Sequence, residues 1–302
     1  MRHARTRFVA LFLAPALALY GVFVLYPYAQ GVVVSFTDWG GYGGERRFVG
    51  LANYAELLRD ERFWAALGHN AVFLAVLPPV TLGIAVLLAA LTAVAGGPGG
   101  RLGPVAGAGL YRAVFVMPHV LPLVMSLVLW QFVLTPRIGL LNGLLERAGL
   151  GGWAHAWLGE PGTARWAVLA VLVWGQVGFA YLLLLAAFGA VPAECLEAAQ
   201  LDGAGRVRVV RSILLPMTVR TVRAVGVFLG MLALDMFVAV AILTPDGGPS
   251  GSTEVVATYM QRLAFSAGRF GYSATIGVAL TVLTLAFALV TFRVTRRERV
   301  EY

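Results

Sequence analysis

Six apolar blocks, near 8–34, 65–93, 113–134, 166–189, 221–243 and 270–292, occupy about half of this sequence. Each is about 20 residues or longer, enough for a helix rising 1.5 Å per residue to cross a hydrocarbon core roughly 30 Å thick. No water reaches that core, so a lone segment must pair every backbone N–H and C=O within itself, and only a helix does so. The expected fold is therefore all-α: a polytopic membrane bundle of six transmembrane helices, with residues 1–302 as one transmembrane domain. Composition agrees, at 59% hydrophobic and 13% charged residues, against roughly 25% charged in soluble domains. Gly or Pro interrupts every block, and Pro118 and Pro122 are expected to bend the third span.

Orientation follows from the arginines. With both termini inside, the inner segments carry Arg2, Arg5, Arg7, Arg101, Arg112, Arg206, Arg208, Arg211, Arg220, Arg223, Arg293, Arg296, Arg297 and Arg299. The outer segments carry fewer: Arg46, Arg47, Arg59, Arg62, Arg137, Arg147, Arg165, Arg262 and Arg269, accompanied by carboxylates. That bias sets the chain N-in and C-in, with residues 191–218 in the cytoplasm. It also accounts for the net charge of +8, so nucleic-acid binding is not expected. The start of the chain imitates a secretory signal, with three Arg, an apolar run and Ala16-Leu17-Ala18. The run continues to Val34, however, which suits an uncleaved first helix.

Several chemistries are excluded. No Lys occurs anywhere, so the chain has no Walker A loop, which needs one to reach nucleotide phosphates. The run Gly96, Gly97, Pro98, Gly99, Gly100, Arg101 is an inner turn, since no strand precedes it and no helix-opening Lys follows. Cys195 is the sole cysteine, which rules out an intramolecular disulfide. His3, His69, His119 and His155 are scattered without metal-ligand spacing, and no catalytic constellation emerges. The expected cofactor and metal set is empty.

Between the fourth and fifth blocks, 191–218 is a charged segment where a short loop would suffice. Pro192 suits the first turn of a helix, and Glu194 and Glu197 lie near its start, where carboxylates oppose the helix dipole. Asp202-Gly203 ends that helix: Gly accepts a left-handed turn, and the Asp carboxylate is placed to accept from the amides opening the next helix. In the second arm Val207, Val210 and Leu214 recur at helical spacing, with Arg206, Arg208 and Arg211 on other faces. That describes an amphipathic arm along a membrane surface. Ala198 and Ala199 keep the first arm slim, as a projection that enters a cleft would be. The plain alternative is a solvated loop with a basic anchor.

Glu197-Ala198-Ala199, then Asp202-Gly203-Ala204, then Ile213-Leu214-Leu215-Pro216 resembles the EAA loop of permease subunits in binding-protein-dependent ABC importers. Its pattern is EAA, two residues, DGA, eight residues, I-x-LP. Three further stretches resemble the carbohydrate-uptake branch: Phe48 to Leu58 its FVGLxNYxxLL, Ile138 to Leu145 with Trp157-Leu158 its GxxNxLL and WL, and Leu243 to Pro249 its LTxGGP with one residue extra. The likeness is nearer the maltose-type first permease than its companion.

The resemblance implies a second homologous permease, an ATPase subunit pair, an extracytoplasmic solute-binding protein and a sugar-like substrate, in a bacterial cell membrane among lipids. It assigns ATPase coupling to Glu197, Ala198, Ala199, Asp202, Gly203, Ala204, Ile213 and Pro216. Within the spans, Gly226 and Gly230 form a small-xxx-small pattern that permits close helix contact. Asp235 is an expensive carboxylate at membrane depth, which either lines the translocation path or bonds a neighbouring helix, and Gln176 is a weaker candidate of the same kind. The rival reading is a secondary transporter driven by an ion gradient, which predicts an internal repeat and several buried ionisable groups. Neither is visible.

Overall fold

The computed structural model describes residues 2–41, 43–94 and 102–296. The expected turn at 96–101 and Arg297 and Arg299 lie outside them. Within the described residues the elements are helical, apart from an isolated bridge between Thr37 and Phe48. Four helices are long and apolar enough to cross a membrane, and two sharply bent pairs bring the number to six if each pair is one span. The chain divides into two compact units, Met1–Trp64 with Tyr259–Leu285, and Ala65–Thr258 with Ala286–Tyr302.

In the first unit, α1 (Arg2–Tyr20) runs through a π turn, Gly21–Leu25, into α2 (Tyr26–Val34). Pro27 explains the wide turn: its ring would crowd the carbonyl four residues back, and the Tyr26 N–H reaches Gly21 instead. α3 (Ala52–Leu57) is the short helix of the FVGLxNY stretch. Its Asn53 is buried and donates to the carbonyls of Ser35 and Thr37, both at 2.9 Å, closing the end of the first span. α14 (Val256–Phe265), a short helix, and α15 (Phe270–Arg296), the last span, lie mostly in this unit, whereas α4 (Glu61–Val94), the second span, lies mostly in the second. Thr275 of α15 also donates to Ser35 O, at 3.0 Å. Gly271 donates its N–H to Trp39 O at 2.9 Å, and a Cβ there would lie 1.9 Å from Thr37 O.

The second unit holds the main core. α5 (Ala108–Val120) and α6 (Leu123–Val133) form the third span, bent by 95°. The bend falls at Leu121-Pro122, so Pro122 makes it while Pro118 stays inside α5. After α7 (Leu140–Arg147), α8 (Pro161–Gly189) is the central span. Gly178 lets α5 come close, since a Cβ there would meet Phe115 O at 2.7 Å. α9 (Ala193–Leu201), α10 (Arg206–Val209) and α11 (Leu215–Met217) form the charged segment, followed by α12 (Val219–Leu234) and α13 (Phe237–Leu243).

Two apolar clusters hold this unit. One gathers Phe73, Leu77, Leu127, Val168, Leu172 and Val240; the other joins Ala89, Tyr181, Leu184, Val225 and Leu229 to Ala199, Val209 and Leu214 of the charged segment. Gln131 of α6 donates to Ile242 O in α13. The small-residue pattern is used at one position: a Cβ on Gly230 would lie 2.5 Å from Phe287, whereas one on Gly226 would make ordinary contact with Leu82 at 3.4 Å.

The fifth span departs from expectation. Instead of one helix over 221–243, α12 stops at Leu234, Asp235 and Met236 leave helical geometry, and α13 resumes at Phe237. Beyond it, the 243–249 stretch runs through two 3-10 turns, Pro245–Gly247 and Pro249–Gly251, with Asp246 at φ 57°. Asp tolerates that left-handed region better than most residues.

Candidate functional site

The charged segment is a helix-turn-helix. Pro192 takes the position just before α9, and Glu194 sits in its first turn. Asp202 is the last residue before the turn, and Gly203 follows at φ +73°. Gly203 N donates to Gln200 O at 3.0 Å and Ala204 N to Ala199 O at 2.9 Å, the paired bonds of a Schellman cap. The EAA and DGA triplets are thus one closure: Ala199 supplies the carbonyl, Gly203 the left-handed residue and Ala204 the amide. Glu197 and Ala198 are exposed and Ala199 is buried, so the two alanines serve different faces.

Two sequence expectations change here. Asp202 does not cap the second arm; Gly205 opens α10 with no side-chain cap. The tight cap uses its intervening residues to reverse the chain, which leaves Asp202 exposed. The buried stripe is also displaced. Val207 is 81% exposed, whereas Val209 (0%) and Leu214 (1%) are buried and Val210 and Ile213 half-buried. A π turn over Val210–Leu214 explains the shift, because five residues per bonded turn bring 209 and 214 to one side. Leu215 N reaches Val210 O, just ahead of exposed Pro216, so the device seen before Pro27 is repeated. At the end of the arm Thr218 Oγ1 donates to Leu214 O at 2.6 Å, and α12 leaves at 76°.

The intramembrane candidates lie elsewhere. Asp235 is exposed at the α12–α13 break, about 24 Å along α12 from Thr218 at 1.5 Å per residue. Gln176 is half-buried in α8, and its Oε1 is buried with no hydrogen-bond partner among the described residues. No hydrogen bond joins Gln176 to Asp235 among those residues. Nor does any group of three His, Cys, Asp or Glu there cluster as a metal site would.

Sequence reasoning missed two polar nodes. Asn70 is fully buried in α4 and bonds the last carbonyls of α12 and the first amide of α14; its signal was a carboxamide inside an apolar block. The other is Asp60, just before α4, whose Oδ1 accepts from Arg62 N (2.9 Å) and Phe63 N (3.2 Å). Its Oδ2 accepts from the hydroxyls of Tyr259 and Tyr272, both at 2.6 Å. An Asp ahead of an apolar helix signals a cap, but the tyrosines lie some 200 residues away. A cavity of about 730 Å³ adjoins this node, lined by Glu56, Arg59, Asp60, Arg62, Tyr259 and Arg269.

Burial raises the Asp60 pKa, and the four hydrogen bonds outweigh it, leaving the carboxyl below its ordinary 3.8. Burial, then the bond to Asp60, raises the Tyr259 hydroxyl above its ordinary 10.0. A lowered acid stabilises above its unfolded value and loses that contribution as pH falls through its folded one; a raised tyrosine does so below 10.0, losing it as pH rises further. The node's contribution is therefore expected to be flat from about pH 5 to 9 and to fade below about pH 4. Melting temperatures of the purified protein and Asp60→Asn, compared across that range, check it: the gap between them should be constant at neutral pH and narrow in acid.

The chain is thus a helical bundle with several candidate membrane spans and a cap-closed helix-turn-helix between two of them. Residues 71–300 match the binding-protein-dependent transport system inner membrane component family, and the chain belongs to it. It is a multi-pass permease of the bacterial inner membrane. The diacetylchitobiose uptake system permease protein NgcF of Streptomyces coelicolor is 39% identical over 293 residues, covering 97% of this chain and 83% of that one. The alpha-glucoside transport system permease protein AglF of Rhizobium meliloti is 30% identical over 295 residues, covering 95% and 82%. A chain of a bacterial ABC transporter involved in the import of alginate superposes with a TM-score of 0.82 at 22% identity, over 97% of this chain and 96% of that one, and so shares the fold.

Proposed function

We propose that the chain is a permease subunit of an ATP-driven importer for a sugar or related polar solute, with α9 as its contact with a separate ATPase. The observation that carries this reading is the arm itself. A slim helix exposes Glu197 and Leu201, the latter 89% exposed, while Ala199, Val209 and Leu214 fix its base in the bundle core. Such a projection transmits force: its tip is free for a partner and its base cannot slide. Ala198, Asp202 and Gly203 are exposed around the same tip, and Ala204, Ile213 and Pro216 belong to its closure and root. The arginine bias places this tip in the cytoplasm.

The partners are a second homologous permease, an ATPase subunit pair and an extracytoplasmic solute-binding protein. The uptake-system names of relatives at 39% and 30% identity support the sugar class. ATP closes the ATPase pair, the α9 tips move with it, and the bundle turns from inward-facing to outward-facing to accept solute. Asp235 and Gln176 face that path, where a carboxylate and a carboxamide offer the hydroxyl-binding groups a sugar requires.

The test is uptake of radiolabelled diacetylchitobiose and an alpha-glucoside by proteoliposomes holding the whole complex, with binding protein added. Accumulation is expected only with ATP inside. Gly203→Val is expected to reduce uptake several-fold while the protein still inserts, because a β-branched residue at φ +73° is strained by about 1–2 kcal/mol. Uptake driven by a proton or sodium gradient without ATP would overturn the proposal.

A further inference from the structure

The α12–α13 break has no local cause. Ala233-Leu234-Asp235-Met236-Phe237 contains neither Pro nor Gly, and kinks without them arise where a side chain enters the helical ladder. The entering side chain belongs to Asn70. Its Nδ2 donates to Ala233 O and Leu234 O, each at 3.1 Å, which are carbonyls left open when α12 stops. Its Oδ1 accepts from Val256 N at 3.0 Å, the first amide of α14. One fully buried carboxamide thus closes the end of one helix and the start of another, with both donor hydrogens and its acceptor engaged.

The far side of this bond is held by further hydrogen bonds. His69 Nδ1 bonds Glu254 O at 2.7 Å, Arg165 donates to Ser252 O at 3.2 and 3.1 Å, and Thr253 Oγ1, with one hydrogen to donate, lies within hydrogen-bond distance of Thr244 Oγ1 (2.8 Å) and Gly247 O (2.7 Å). The stretch 244–256 is therefore a braced unit, and Asn70 is its direct link to the two residues preceding Asp235.

We propose that Asn70 is a positioning residue: it holds the fifth span broken so that Asp235 is presented out of the helix, and it ties that presentation to the braced 244–256 segment. Without its two donors, the Ala233 and Leu234 carbonyls would be unpaired in an apolar environment, and a continuous helix through 235 would be the way to satisfy them. Asp235 would then rotate from its present direction. The consequence for transport rests on the reading of Asp235 as facing the solute path; the positional assignment does not.

Two measurements on the whole complex separate these. In a Cys195→Ser background whose uptake is the reference, Asp235→Cys is labelled with a membrane-impermeant cationic thiosulfonate, with and without Asn70→Asp. Aspartate keeps the acceptor for Val256 N and replaces the donors with a second oxygen. The labelling rate is expected to change at least fivefold; an unchanged rate in an assembled complex overturns the proposal. If Asn70→Asp does not assemble, Asn70→Ser, which loses a donor without adding charge, is read by the same labelling and the same criterion. Separately, with native Asp235, Asn70→Asp is expected to raise the half-saturating solute concentration about tenfold, with maximal rate altered less than threefold, and Asn70→Gln to recover part of it. Altered labelling with an unaltered half-saturation, together with native uptake by Asp235→Asn, leaves Asn70 as the positioning residue and removes Asp235 from the path.

Discussion

A complex carrying Glu197→Arg is expected to lose ATP-driven uptake almost completely and to shed its ATPase during purification. Glu197 is an exposed carboxylate on an arm whose root is fixed, so the substitution reverses a charge without disturbing the fold. Truncating one partner of an interfacial charge pair costs about 2–5 kcal/mol, and at roughly 1.4 kcal/mol per factor of ten that is about 30-fold or more in ATPase affinity. Reversal adds repulsion to loss. Retention of the ATPase at native stoichiometry, with native uptake, would show that the tip engages nothing through this residue. Ala198 beside it is also exposed, and a bulky residue there should weaken docking by shape alone.

Among the described glycines, Gly271→Ala is expected to be the most destabilising addition of a single methyl. The added carbon would lie 1.9 Å from Thr37 O, 2.9 Å from Thr37 C and 3.2 Å from Trp39 N, all backbone that cannot rotate away. The two segments that meet there also share the bond from Gly271 N to Trp39 O. A loss of about 3–5 kcal/mol is the scale of such overpacking at its most severe, read as a large fall in melting temperature in detergent. Gly143→Ala in α7 supplies the comparison, since nothing lies within 4 Å of its Cβ position. It should melt within a few degrees of the native protein, on the stable side if anything, because Ala is the better helix former by about 1 kcal/mol.

These contrasts indicate what the sequence could convey. The apolar blocks marked the spans, because hydropathy over 20 residues is a local property. Pro122 marked the bend in the third span for the same reason. The turn at Gly203 was legible from Asp-Gly alone, and the structure added that Ala199 and Ala204 complete it. The second arm was misread by a few residues: helical spacing assumed 3.6 residues per turn, and the π turn at Val210–Leu214 exchanged Val207 for Val209 on the buried side. Nothing local announced the break at Asp235, since its cause sits more than 160 residues away in Asn70. Asp60 was invisible as a node for the same reason. Polar groups inside a bundle act through partners distant in sequence, and the local pattern around each does not say which ones meet.

The helix joining the two candidate sites has a mechanical consequence. α12 starts beside Thr218, at the root of the docking arm, and ends beside Asp235. It is a helix of about 24 Å with a 76° elbow at one end and a break at the other. Tilting such a helix by about 10° about its elbow carries the far end roughly 4 Å, more than the length of a hydrogen bond. A lever of that ratio converts a small displacement of the arm into the making or breaking of a polar contact at membrane depth, with no change in the helix itself.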